Sequence, residues 1–372
     1  MGRLSRAESC PDDEISVVHC INRCVRRGFL CGKDSVSGKN FEHRREWIRG
    51  RFEFLAGQMA VEVLGYAVLS NHFHIVLRNR PDVVAEWSDD EVALRWWNLC
   101  PGRRNKDKTP AKPTQLELNA VKGDKEKLKE YRKRLSSVSW FMRFVAEHIA
   151  KRANEEDECT GRFWEGRFKC QPLLDDAAIL ACMQYVDLNP IRAKIAKTVE
   201  GSDFTSGQDR LADLKDGVSG DGIQVSGREA LGSLPAADNR DAFDRQCEHG
   251  ERAGWLTPIS LEPPRQAVRY RKSKRRTSNK GCLNLSLVEY LQLLDWTGRQ
   301  IRRDGKSGTI PSDLLSIFER VGVSSELWVE CVKRFGKWHG SGVGRTSSLK
   351  QHAERTGRNR SLNARRSRQL FG

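Results

Sequence analysis

No apolar run in the 372-residue chain approaches the roughly 18 residues that a membrane helix needs, so a helical membrane span is not expected. The opening residues, Met1 to Cys10, lack the apolar core of a secretory signal. Arg6 stands where a myristoylation signal requires serine or threonine. A Gly-x-x-x-x-Gly-Lys-Ser/Thr loop is also missing, which argues against a built-in helicase or other P-loop motor. The eleven cysteines form no Cys-x-x-Cys pair, and Cys20 and Cys24, four apart, have no second pair to complete a zinc site. An odd number of thiols without an export signal fits reduced cysteines in a cytoplasmic protein. Tyrosine is sparse: five residues, at 66, 131, 185, 270 and 290.

Positive charge is plentiful. Lys and Arg number 65 against 49 Asp and Glu, a net +16. That balance makes a polyanion, and nucleic acid first among polyanions, the expected partner.

Along the chain, β-branched residues at 15–25 predict a buried strand. Phe41, Trp47, Ile48, Phe52 and Leu55 recur at helical spacing through 41–58. Val61 to Leu69 and His72 to Leu77 read as two further strands around a bend at Ser70-Asn71, and Pro81 follows. A charged stretch at about 85–133, with Trp87, Trp96 and Trp97, reads as an insertion. An amphipathic helix is expected over 135–153, then a short strand through Leu173 and a helix capped by Asp175 or Asp176 that runs to about Leu188. Residues 201–283 read as a linker: Gly-, Ser- and Asp-rich and loosely ordered over 200–260, basic over 261–280. Apolar periodicity returns as a helical domain at 284–345, and a basic tail occupies 346–372.

The chemistry concentrates at His72-Phe73-His74. Alternation along a strand points both imidazoles to one face, with about 7 Å between their backbones, and Phe73 to the other. Two such imidazoles can converge on one divalent cation, and a cation in a basic chain can polarise a phosphate. On the helix near 176–189, Tyr185 and Asn189 are four apart and share a face. An amide oxygen is an acceptable ligand for Mg²⁺ or Mn²⁺. A phenol one turn away can serve as a covalent nucleophile. A helical tyrosine is also an ordinary core residue, and paired strand histidines without a role are common.

Three segments in order sharpen this reading: Leu69-Ser-Asn-His-Phe-His-Ile-Val-Leu77, Gly161-Arg-Phe-Trp-Glu-Gly-Arg-Phe-Lys169 and Gln184-Tyr-Val-Asp-Leu-Asn-Pro-Ile-Arg-Ala193. Over residues 14–200 the chain resembles the HUH single-tyrosine transposases, in particular the REP-associated tyrosine transposases of bacteria. The resemblance implies an α+β fold, a ferredoxin-like antiparallel sheet with packed helices (the HUH endonuclease core), extended here by a mostly helical C-terminal region. It implies metal binding by His72 and His74, completed by Asn189, with Tyr185 as nucleophile and Mg²⁺ or Mn²⁺ as cofactor. The implied reaction is nicking and rejoining of single-stranded or hairpin DNA through a 5′-phosphotyrosine. The stretch between His74 and Tyr185 is longer than in compact members, because of the charged insertion.

Arg162, Trp164, Arg167, Lys169 and Arg192 are the expected DNA contacts, the cations for phosphates and the aromatic for stacked bases, with Phe163, Trp164 and Phe168 equally suited to a core. His19 reads as a core histidine. Two other readings compete with the transposase. One is a non-mobile DNA-binding protein or regulator of repeated palindromes that keeps the fold. The other is a replication-initiator nickase, which the missing Walker loop disfavours. Monomer and homodimer are both compatible with the sequence.

Overall fold

Val17–Arg23 (β1), Val61–Val68 (β2), His72–Asn79 (β3) and Lys169–Leu173 (β4) form one antiparallel sheet in the order β2-β3-β1-β4. In this computed structural model the described residues are 10–25, 30–34, 38–107, 109–219, 230, 250–261, 275–302, 310–338, 342–357 and 364–371. Between β1 and β2 lies α1 (His43–Gln58), and α6 (Val138–Glu156) precedes β4. The charged insertion is itself helical: Pro81–Ala85 (α2), Asp89–Leu99 (α3), Gln115–Gly123 (α4) and Lys125–Leu135 (α5). After β4 come α7 (Asp176–Asp187), the single turn α8 (Asn189–Arg192) and α9 (Ser206–Ser219). The C-terminal region adds α10 (Leu287–Arg302), α11 (Ser312–Val321), α12 (Ser325–Trp338), α13 (Thr346–Arg355) and α14 (Ala364–Phe371). No described helix is long and apolar enough to cross a membrane.

Strand alternation divides the interior in two. Val18, Cys20, Phe73, Ile75 and Leu77 pack against α1 and α6 through Ile48, Phe52, Phe141 and Val145. Leu64, Ala67, Val76 and Leu173 lie in the other core, with α7 and the C-terminal helices. The sequence of α7, Ala-Ala-Ile-Leu-Ala-Cys-Met from 177 to 183, is apolar all round, and a helix of that kind must be covered on every side. The sheet covers one side and α12 another. Asp175 Oδ1 caps α7 by accepting from Ala178 N (3.0 Å), and Oδ2 accepts from Arg345 N (2.6 Å). One carboxylate thus starts the helix and anchors the returning C-terminal chain.

The stretch at 200–260 departs from its loosely ordered reading. Its first part is α9, with Leu211 and Leu214 buried, and Trp255 is fully buried beside Tyr66. Polar residues that suggested a linker serve in buried networks: Tyr66 Oη donates to Asp209 Oδ2 (2.6 Å). Residues 220–229, 231–249 and 262–274 of the expected linker lie outside the described residues. On β2, the buried Glu62 accepts from Arg78 Nε (2.5 Å) and Arg80 Nη1 (2.9 Å). Arg78 also donates to the carbonyls of Lys280 and Gly281, tying the end of the basic segment to the sheet.

Asp187, at the end of α7, joins the two halves of this second core. It accepts from Ser206 Oγ, from Gly207 N (2.8 Å) and from Tyr290 Oη (2.6 Å). Burial raises its pKa, and the bonds from Ser206 and Tyr290 oppose that rise. The folded protein therefore holds the Asp187 proton more tightly than the unfolded chain does. The stability contributed by this group declines as pH rises from about 4 through the raised value. Asp187→Asn should flatten that part of the profile in urea melts between pH 4 and pH 7, and an unchanged slope would count against the assignment.

Candidate functional site

The register of the sheet builds the site. Across β1 and β3, Ile21 faces His74 and Arg23 faces His72, and across β1 and β4, His19 faces Gln171 and Ile21 faces Lys169. All of these side chains share the face on which α7 lies. The rings of His72 and His74 are 4.9 Å apart between centroids. The Tyr185 ring, delivered by α7, is 5.5 Å from His74 and nearly perpendicular to it (83°). Arg192, from α8, places its guanidinium 4.3 Å from the Tyr185 centroid and donates Nε–H to Lys333 O (3.0 Å).

These groups line one open pocket of about 580 Å³. Among its described lining residues the cations are Arg23, Arg167, Lys169, Arg192 and Lys337, and Glu165 is the one acid. Of the residues singled out from sequence, His72, His74, Tyr185, Asn189, Arg167, Lys169 and Arg192 meet there. Arg162 and Trp164 do not line it. Trp164 is a core residue: its ring packs edge-on to Phe73 at 5.7 Å, and its indole N–H donates to Ala146 O (2.9 Å). Phe163 is buried beside it.

The imidazoles are held neutral. Burial pushes the His72 pKa down to about 4, with Arg23 and Lys169 adding to the effect. Burial also drives His74 well below the ordinary histidine value, followed by its neighbours His19, His72 and Arg192. Asn71 Oδ1 accepts from His72 Nδ1 (2.6 Å), so Nε2 of His72 keeps its lone pair. His19 Nε2 lies 2.8 Å from His74 Nδ1. His19 is lowered to about 4 by burial, and a side-chain hydrogen bond with Gln171 opposes that shift. With Nδ1 of His74 engaged by His19, Nε2 is the ring nitrogen left for a bound group, the usual arrangement behind a metal-binding histidine.

Asn189 is 7% exposed, and its Nδ2 is buried without a hydrogen-bond partner among the described residues. An unsatisfied amide N–H beside two neutral imidazoles suits a site that completes its contacts with an acceptor such as a phosphate oxygen. Among the described residues no set of three or more His, Cys, Asp or Glu side chains is arranged to hold a metal, so a cation here would depend on the Asn189 amide, on water or on substrate oxygen.

Sequence reasoning passed over two contributors. His19 read as a core histidine; it is buried, and its role depends on a strand register that the sequence alone does not disclose. The C-terminal helix α12 brings Phe335 to 5.2 Å from the Tyr185 ring and 6.4 Å from His19. A Cβ at Gly336 would stand 2.9 Å from the Tyr185 hydroxyl oxygen.

No protein-family model matches the chain, and no curated protein matches it. Among solved structures, a REP-associated tyrosine transposase bound to a REP hairpin is similar at 12% identity with a TM-score of 0.32, over 53% of this chain and 79% of that one.

Proposed function

We propose that the chain is a DNA strand transferase that cuts and rejoins single-stranded or hairpin DNA, with Tyr185 as the nucleophile. The observation that carries this reading is the meeting of Tyr185, two neutral imidazoles and Asn189 in one cation-lined pocket. In this reading the strand order and the two helices on one sheet face form a ferredoxin-like core over residues 14–200, followed by a helical C-terminal domain at 284–345. His72, His74 and Asn189 would hold Mg²⁺ or Mn²⁺. Such an ion, when bound, withdraws charge from a scissile phosphate.

The chain's own residues do the rest. Arg23, Lys169 and Arg192 attract and orient the phosphate in the pocket. Arg192 lies over the phenol ring, 4.3 Å from its centroid, and so meets the phosphate that the phenol attacks. The Tyr185 oxygen attacks phosphorus, the 3′ oxygen leaves and takes up a proton, and the 5′ end stays on the tyrosine. One ester bond replaces another, so rejoining needs no nucleotide cofactor.

Full-length protein incubated with Mn²⁺ and a panel of 5′-extended hairpin oligonucleotides should give a covalent adduct that survives denaturing electrophoresis. Absence of any Tyr185-dependent adduct across the panel sinks the proposal. A second reading, a DNA-binding regulator that performs no transfer, draws on one observation: Tyr185 is only 7% exposed, under Phe335 and Gly336. The adduct assay separates the two.

Gly336→Ala is a steric test of the same geometry. Alanine favours a helix over glycine by about 1 kcal/mol. The added methyl displaces the phenol, and a shift on the order of 1 Å at a reacting group costs roughly 10²-fold in rate. The expected variant melts no earlier than the parent and forms adduct about 10²-fold more slowly. Normal adduct kinetics would show that the phenol does not react from this position.

A further inference from the structure

Beside the catalytic pocket lies a second open trough of about 700 Å³, and the two share Arg192 and Lys337. Arg192, Lys194 and Lys197 line it from the chain after α7, and Arg302, Lys333 and Lys337 from α10 and α12. Arg334 also lines it and is partly neutralised by Glu330 one turn away. None of its described lining residues is acidic. Like charges gathered from three separate elements repel one another, so the arrangement costs stability unless an anion occupies it.

One residue makes that cost visible. Lys194 has φ of 60°, the left-handed region that a side chain disfavours. It ends α8 in a Schellman turn: Lys194 N donates to Ile191 O (3.1 Å) and Ile195 N to Pro190 O (2.9 Å). Glycine is the usual occupant of that position. A lysine held there, exposed at the rim of a basic trough, is backbone strain kept at a charged surface.

We propose that this trough binds the phosphate backbone of single-stranded DNA continuous with the strand in the catalytic pocket. The C-terminal helices thereby supply one wall of the DNA path. The inference rests on the proposed function for the identity of the polyanion. Continuity through Arg192 and Lys337 favours a strand that runs from one pocket into the other over a separate small anion. An exposed backbone is also what the Tyr185 hydroxyl must reach.

The test is binding of a fluorescein-labelled 30-nucleotide oligo(dT), followed by anisotropy in rising NaCl, to full-length Tyr185→Phe protein without divalent cation. Substituting glutamine at Lys194, Lys197 and Lys333 should weaken binding on the order of 30-fold at 0.15 M salt. It should also reduce the slope of log K against log salt by about 2, for three phosphates at roughly 0.7 each. A control with glutamine at Lys125, Lys129 and Lys133 of α5 removes the same charge elsewhere and should leave the slope unchanged. Lys194→Gly alone should reduce the slope by about 0.7 while the melting midpoint holds or rises, which separates lost contact from lost fold. Equal losses in the trough and control variants, or no loss in either, overturn the trough. Because this assay requires no chemistry, a failed adduct experiment leaves its result standing. A normal adduct with unaltered oligo(dT) binding removes the trough alone.

Discussion

Tyr185→Phe should abolish the covalent DNA adduct, with residual strand cleavage down by about 10³-fold or more, while oligonucleotide affinity changes less than about threefold. The substitution removes one oxygen. The ring that packs between His74 at 5.5 Å and Phe335 at 5.2 Å remains, so the pocket keeps its shape and its cations. Loss of the proposed nucleophile therefore appears in the chemical step and not in binding. Denaturing gels with end-labelled hairpins measure the first quantity and anisotropy the second. A phenylalanine variant that still forms the adduct would transfer the role to another side chain.

Glu62→Ala should destabilise the fold by about 3–5 kcal/mol, read as a shift of the denaturant midpoint. Glu62 is 4% exposed and serves Arg78 and Arg80, themselves 7% and 6% exposed. Deleting the carboxylate leaves two buried guanidiniums with less compensation. Arg80 retains Asp82, and Arg78 retains the carbonyls at 280 and 281, so the loss falls short of two full charge burials. Glu62→Gln keeps the volume and one acceptor, and should recover part of the loss. A shift under 1 kcal/mol for Glu62→Ala would mean that water reaches these arginines.

The elements that follow a simple period were legible in the sequence. β-Branched content marked β1, the His72-Phe73-His74 alternation marked β3, and the spacing of Ile48, Phe52 and Leu55 marked α1. Strand and helix periods paired His72 with His74 and Tyr185 with Asn189, and the resemblance to the single-tyrosine transposases implied that the two pairs form one site. What escaped depends on contacts between distant segments. His19 differs from any buried histidine only through its register opposite Gln171 and beside His74. Trp164 lies among cations in the sequence, which suggested stacking on bases, yet its ring and its N–H are both satisfied inside the core. The docking of the C-terminal helices did leave a trace: an α7 apolar on every side demands a second cover beyond the sheet. Over 206–219 and 250–260 the composition misled, because Asp209 and Asp213 are buried and bonded within the fold.

The position of α12 over the phenol has a consequence for synthesis. A nascent chain emerges from the ribosome with the imidazole pair and Tyr185 long before Phe335, Gly336 and Lys337. Until that last third is released, the helix bearing Tyr185 lacks its outer cover. The pocket around Tyr185 is thus completed only once α12 has been made. Chains arrested before about residue 320 should be inert and short-lived, and pulse-labelled truncations assayed for adduct formation would reveal whether they are.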